Sequence, residues 1–311
     1  MDPTLFPASA QRLSNVRQLA AKGVTEDKLK EMYDGKLIQR IRRGVYSPEP
    51  LAARGTYLLT NGMVDLGYLA EVRAVMLSIS KRAMAGGRCA AVLWGYDMLV
   101  EPDHVEVVVP PGGSRQGKDF EVFSLRERPV IRLRVRALDP LPCLDAVSTV
   151  LHCAQILPLQ EAVVIADSAM RNKTVTRKQL AEAIRKERGR PHYRRMRTVL
   201  QWSDEKSGSV LESAFRALML EHGIVRPKSQ KIIKGVGRVD FCWEGDRLVV
   251  ELDGRRWHDP EDVRNNDRRR DNNLELRSWR LLRYTWADVV HDPDRVVQEV
   301  RRALQGWMAA A

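Results

Sequence analysis

The side chains best placed to do chemistry are carboxylates in the C-terminal third of the chain, Glu212, Asp240, Glu251 and Asp253. Two apolar alternations, Arg238–Trp243 and Arg247–Asp253, flank Gly245-Asp246, which reads as the two-residue turn of a hairpin. That turn sets Val239 opposite Leu252, Phe241 opposite Val250 and Trp243 opposite Leu248, six apolar residues on one face. On the other face it sets Asp240 opposite Glu251, with Asp253 two residues further on. A slip of one residue would break both sets. Opposed carboxylates destabilise a sheet unless a cation sits between them. Asp240 and Glu251 therefore read as an oxygen-only divalent-metal site suited to Mg²⁺ or Mn²⁺, and Glu212 is placed to be a third or water-mediated ligand. A metal held this way activates water and neutralises charge on a phosphodiester during in-line displacement. The alternative is a solvated acidic strand face balanced by nearby arginines.

The elements that must position these groups can be read around them. Ser209 caps a helix running to about His222, with Leu211, Phe215, Leu218 and Met219 as its buried stripe and Gly223 as its stop. A strand follows around Lys231–Lys234, then the hairpin. Asp259-Pro260 opens a further helix on which Val263, Asp267, Arg270 and Leu274 share one face. Two ionisable groups on a core-facing stripe are paired with each other or functional. Trp279–Trp286 is the last strand, followed by a helix. Ser203–Ser209 reads as a polar, flexible boundary before this region.

Charge points to the partner. The 311 residues carry 52 Lys+Arg against 40 Asp+Glu, a net charge of +12, and such an excess suggests a polyanion, most often nucleic acid. Residues 171–206 hold 12 Lys/Arg against 4 Asp/Glu, including Arg190, Arg194 and Arg195. This run is a solvated helical face with a linker, or a phosphate-tracking surface whose binding weakens with salt. Cys89, Cys143, Cys153 and Cys242 form no Cys-x-x-Cys pair, which argues against a disulfide scaffold and a zinc ribbon. With no membrane-length apolar run and no signal pattern, the expectation is a soluble, cytoplasmic protein.

At the N-terminus, Leu13, Val16, Arg17 and Ala20 set a helical period stopped by Gly23, and Thr25 caps a second helix ended by Gly35. Leu37–Ile41, a turn at Arg42-Arg43-Gly44 and Val45-Tyr46 then form a basic hairpin. This is the outline of a winged helix-turn-helix, with Lys36, Arg40, Arg42 and Arg43 near the wing. Residues 56–85 read as mostly helical, 89–140 as strand-rich and 143–200 as helical again.

The strings Arg238-Val-Asp-Phe, Leu248-Val-Val-Glu-Leu-Asp-Gly254, His258, Asp267-Arg-Arg-Arg-Asp-Asn-Asn-Leu274 and Trp279-Arg-Leu-Leu-Arg283 resemble endonuclease-like domains related to very-short-patch repair enzymes, within the PD-(D/E)XK superfamily. The resemblance covers about 207–305. It implies Asp240 and Glu251 as metal-binding carboxylates, Glu212 as the helix acid, and His258 as an acid/base or phosphate contact. It departs at Asp253, where the superfamily has lysine, so that Lys231, Lys234 or Gln230 substitutes as the base or the site is weak. It departs also at Ser278, where glycine is usual. The N-terminal part is similar to AbiEi-family antitoxins through Val24-Thr-Glu-Asp-Lys-Leu, Lys36–Tyr46 and Ala90-Ala-Val-Leu-Trp-Gly95, which implies operator DNA and a partner toxin.

The expected fold is thus α+β and multidomain. It comprises a winged helix over 1–50, a mixed α/β middle region over 51–202, and a restriction-endonuclease-like αβββαβα core over 207–311. The expected function is Mg²⁺- or Mn²⁺-dependent DNA cleavage, with Asp267 and Arg270 supporting the site and Lys231 and Lys234 near the DNA. A single centre cuts one strand, so double-strand cleavage would require a homodimer or two encounters. The alternative is a non-catalytic regulator or antitoxin built on a degenerate nuclease fold.

Overall fold

The computed structural model describes residues 3–6, 12–49, 66–79, 83–109, 120–124, 130–133, 141–253 and 269–305. The chain forms two compact units, one of residues 1–157 and 178–187, the other of 158–177 and 188–311.

The first unit begins with β1 (Ser14–Asn15), α1 (Val16–Ala20), α2 (Glu26–Asp34), β2 (Gln39–Arg42) and β3 (Val45–Ser47). The strands form an antiparallel sheet in the order β1-β3-β2. The helix expected from Leu13 starts later, because Ser14 and Asn15 pair with β3 and Asn15 caps α1 through a reciprocal bond with Gln18. Thr25 caps α2 as expected. Leu19, Leu29, Met32 and Ile38 close a small core with Phe6.

A five-stranded sheet follows, built from β4 (Met84–Ala85), β5 (Val105–Val109), β6 (Phe120–Ser124), β7 (Val130–Leu133) and β8 (Leu141–Leu144) in the order β6-β5-β4-β8-β7. The helices of this unit are α3 (Leu66–Ile79), α4 (Gly87–Leu93), α5 (Ala146–Ile156) and α7 (Arg177–Lys186). The start of the segment expected to be strand-rich is therefore helical: α4 is short and buried except at Arg88, and lacks a polar face to reveal its period. Beneath its first turn lies the buried Glu106, which accepts the Arg88 amide at 2.5 Å and the Arg88 guanidinium at 2.8 Å.

The second unit contains α6 (Leu159–Arg171), α8 (Tyr193–Trp202), α9 (Val210–Glu221), β9 (Lys228–Ile233), β10 (Gly237–Trp243), β11 (Leu248–Asp253), α10 (269–275), β12 (Arg280–Thr285), α11 (Trp286–His291) and α12 (Pro293–Gln305). From α9 to β12 the element order is the one read from the sequence, and two helices, α11 and α12, then follow where one was expected. The sheet order is β12-β11-β10-β9, with β11 and β12 parallel and the other pairs antiparallel. A parallel pair needs a crossover, and α10 lies in that connection. Phe241 packs 5.2 Å from Phe215 of α9, centroid to centroid, on one side of the sheet. Val239, Cys242, Val249 and Leu274 cluster together. Val239 thus leaves the Phe241 row expected for it, because the β9–β10 ladder is interrupted at Asp240.

Residues 203–209 are a packed turn rather than the expected flexible boundary. Arg216 and Asp167 form an ion pair with both side chains 0% exposed. Arg216 also donates to the Trp202 carbonyl at 3.0 Å and Ser207 Oγ at 3.2 Å, and Asp167 accepts the Asp204 amide at 2.7 Å. The polar composition of this turn satisfies a buried charge pair. Cations also close the end of α8, where Arg177 donates to the carbonyls of Leu200 and Ser203, both at 2.7 Å, and Arg226 to that of Gln201 at 2.6 Å.

Candidate active site

Glu212 enters the site from the first turn of α9. Ser209 caps the helix by accepting the Glu212 amide at 3.1 Å, and its hydroxyl donates to Glu212 Oε1 at 3.2 Å. The Gly208 amide donates to Glu212 Oε2 at 2.9 Å. A Cβ on Gly208 would lie 2.9 Å from Glu212 Oε1, so the close approach requires glycine there. These bonds fold the carboxylate back over the helix end and bury it.

Asp240 lies on β10 where regular pairing stops. The ladder joins Trp243 to Leu248, Cys242 to Val249 and Phe241 to Val250, the register expected from the sequence. Beyond it the Asp240 carboxylate takes over, with Oδ2 accepting the Leu252 amide at 2.9 Å. Its other oxygen faces Gln230 of β9. Gln230 Nε2 donates to Glu212 Oε2 at 2.8 Å and to Asp240 Oδ1 at 3.3 Å, so carboxylates from α9 and β10 converge on one nitrogen.

Glu251 is held differently. Its Oε1 is 2.7 Å from Arg270 Nη2 without hydrogen-bond geometry, and its Oε2 is 3.4 Å from Arg283 Nε. Arg283 lies beside Glu251 in the parallel register and binds Asp271 through both terminal nitrogens. Burial pushes the Glu251 carboxyl above its ordinary range; Arg270 and Arg283 oppose the rise and the nearby Asp240 charge adds to it. Asp271 in turn raises the Arg283 guanidinium. Arg270 also donates to the Arg238 carbonyl.

The structure thus brings Glu212 and Asp240 together and turns Glu251 toward arginines. Among the described residues no three His, Cys, Asp or Glu side chains gather as a metal-binding group. Asp253 ends β11 and is exposed. Lys231, considered as a replacement base, pairs instead with Glu244 at 3.0 Å. Gln230 reaches the carboxylates and Lys231 does not. Lys234 is exposed at the turn after β9. His258 and Asp267 lie outside the described residues, as does the start of the helix expected after Asp259. Ser278, in the usual glycine position, has φ +60°, the left-handed conformation that glycine favours. The sequence reading allowed for arginines beside these acids but not for which ones, because Arg283 meets Glu251 only through the parallel crossover.

The other basic candidates fall in separate places. Lys36, Arg40 and Arg43 are exposed on and around β2, Arg42 is half-buried, and Arg40 lies 5.9 Å over the Tyr33 ring. Arg190 and Arg194 are exposed and Arg195 is half-buried, at the start of α8. The four cysteines are buried and none forms a disulfide. No described helix is long and apolar enough to cross a membrane.

Residues 213–304 match the family model REase_MTES_1575. The C-terminal part of the chain is therefore similar to restriction-endonuclease-like domains. Two relatives in Mycobacterium tuberculosis, Uncharacterized protein MT2308 (strain CDC 1551 / Oshkosh) and Uncharacterized protein Rv2248 (strain ATCC 25618 / H37Rv), are each 29% identical over 160 residues. The match spans 50% of this chain and 59% of each relative. Among solved structures, the catalytic domain of homing endonuclease I-Bth0305I aligns with 30% of this chain and 91% of its own, at 24% identity and a TM-score of 0.26. The RV2827C protein from Mycobacterium tuberculosis aligns with 70% of this chain and 78% of its own, at 16% identity and a TM-score of 0.39. Neither score defines a shared fold.

Proposed function

We propose that this protein is a metal-dependent DNA endonuclease whose centre is built on Glu212, Asp240 and Glu251. The observation that carries the reading is the convergence of Glu212 and Asp240 on Gln230. Gln230 and Asp240 lie inside the segment 213–304 that matches the nuclease family, and Glu212 stands one residue before it. Both are oxygen donors, and Mg²⁺ or Mn²⁺ needs only one or two carboxylates beside its own waters, so the pair fits such an ion. When bound, the ion supplies a water of lowered pKa and neutralises charge on the phosphodiester. Arg270 and Arg283 fix Glu251 at the edge of the site and set positive charge near the path of a DNA phosphate. With Lys231 committed to Glu244, Asp253 takes the role of orienting the attacking water, and His258 that of acid/base or phosphate contact. Asp267 is assigned a supporting role beside Arg270.

The reading of α1, α2 and the β2–β3 hairpin as a winged helix is supported by their order along the chain. Lys36, Arg40, Arg42 and Arg43 would bind duplex DNA there, with Arg190, Arg194 and Arg195 tracking phosphates and Lys231 and Lys234 flanking the centre. The deciding experiment is cleavage of supercoiled and mismatch-containing DNA in Mg²⁺, Mn²⁺ or EDTA, with Asp240→Ala alongside. Metal-dependent cutting that disappears in the variant, while DNA binding persists, is the expected result. Equal cutting by the variant would sink the site assignment.

Two observations favour a second reading, a DNA-binding regulator or antitoxin that has lost catalysis. Asp253 stands in the lysine position, and Glu251 is engaged by arginines. Salt-sensitive binding without cutting in any metal, lost when Arg40, Arg42 and Arg43 become alanine, would establish it.

A further inference from the structure

Gln230 is the only non-glycine residue within a described strand whose backbone is left-handed, at φ +52°. Side chains other than glycine are disfavoured there, and such outliers persist where their surroundings over-determine them. On either side of it the β9–β10 ladder is regular, pairing Val239 with Lys231 and Phe241 with Ser229. The interruption falls on Gln230 and Asp240, the residues that meet through their side chains.

The chemistry at that point is unusual for an amide. Nε2 lies 2.8 Å from Glu212 Oε2 and 3.3 Å from Asp240 Oδ1. An amide offers two N–H donors from one nitrogen, so a single group satisfies both carboxylates. The reverse orientation would set its oxygen against two anions, which fixes the nitrogen toward them. The strained backbone is accompanied by relief of repulsion between two acids on different elements. A neutral amide does this without the permanent charge of a lysine, and so without excluding a cation.

We propose that Gln230 is the positioning residue of this carboxylate pair, its amide nitrogen standing in the place of a cation and holding Glu212 and Asp240 together in the ion-free protein. The inference rests on the reading of those carboxylates as ion-binding. Amide and ion satisfy the same oxygens, so whatever the amide contributes to the ion-free state is subtracted from ion binding. Gln230 therefore sets the ion concentration at which the site fills.

The test uses the full-length chain without DNA, by thermal melting and by calorimetric titration with Mn²⁺. In EDTA, Gln230→Ala melts below the parent, and in an Asp240→Asn background the same substitution has a smaller effect. At saturating Mn²⁺ the gap between Gln230→Ala and the parent closes, and Mn²⁺ binds the variant about tenfold more tightly. Gln230→Gly removes the amide but accepts the left-handed backbone, and reads the same linkage should alanine prevent folding. A melting gap that Mn²⁺ leaves unchanged, or unchanged or weaker Mn²⁺ binding by the variant, would overturn the stand-in role. A parent protein that shows no Mn²⁺ response would overturn the ion reading of the pair and the stand-in role with it. The comparison in EDTA would then still decide whether the amide links the two carboxylates.

Discussion

Replacing Asp167 by asparagine should be among the most damaging single changes in the second unit. Its partner Arg216 is 0% exposed, so the guanidinium would stay buried with no counter-charge. Breaking a buried pair from one side costs about 3–5 kcal/mol. For a unit of this size each kcal/mol moves the melting temperature by roughly 2–4 °C, so the shift should be roughly 6–20 °C. Removing both charges with Asp167→Leu and Arg216→Met leaves the Trp202 carbonyl, Ser207 Oγ and the Asp204 amide without those partners, but no longer buries a bare charge. The double variant should therefore lose no more than the worse single variant. Scanning calorimetry of the parent, both single variants and the double variant measures all three shifts. An Asp167→Asn transition within about 2 °C of the parent, or losses that simply add, would refute the assignment of Arg216 as a charge dependent on its partner.

Three further outcomes are expected. Changing Arg40, Arg42 and Arg43 together to alanine should flatten the dependence of log K on log salt by up to about 2.7 if each contacts a phosphate, read from binding isotherms at several salt concentrations. The Glu251 carboxyl is raised on folding, chiefly by burial, so its contribution to stability is full below the unfolded carboxyl range and is lost as pH climbs through the raised value. Arg270 restrains that rise; Arg270→Met should therefore lose stability relative to the parent as pH climbs above the ordinary carboxyl range, and a difference in urea midpoints that does not change with pH would count against it. Gly87→Ala would place a Cβ 1.7 Å from Glu106 Oε2 at φ +48°. With about 1–2 kcal/mol for the backbone and about 1–3 for a displaced buried acceptor, the first unit should lose more than about 2 kcal/mol in urea unfolding.

The β10–β11 hairpin was readable because its signals are local. Gly245-Asp246 turns between two alternating segments, and the register that follows puts Asp240 at the end of the observed ladder. Glu212 was readable from its place after the Ser209 cap. The partners of Glu251 were not, since Arg283 reaches it across a parallel crossover whose register no turn specifies. Gln230 was visible as a polar residue near the site, but a left-handed glutamine within a strand contradicts local preference and arises from the two acids around it. Helix α4 was missed for a third reason: six of its seven residues are buried, which leaves no polar face by which a helix is recognised. The Ser203–Ser209 turn looked like a linker because seven polar or small residues carry no hint that Arg216 lies beneath them.

The Asp167–Arg216 pair also bears on how this nuclease-like segment could be moved between proteins. The family match begins at residue 213, and a fragment cut there, or at 207, would carry Arg216 into its core and leave Asp167 behind. The heritable module is therefore longer than its motifs: it takes in α6, and then admits residues 178–187 as an excursion that packs with the other unit. A gene fusion made at residue 207 would carry Glu212, Asp240 and Glu251 across and still bury Arg216 without its partner, whereas one beginning at Pro158 would keep the charge pair. Recombination near the site is thus constrained by an ion pair that takes no part in its chemistry.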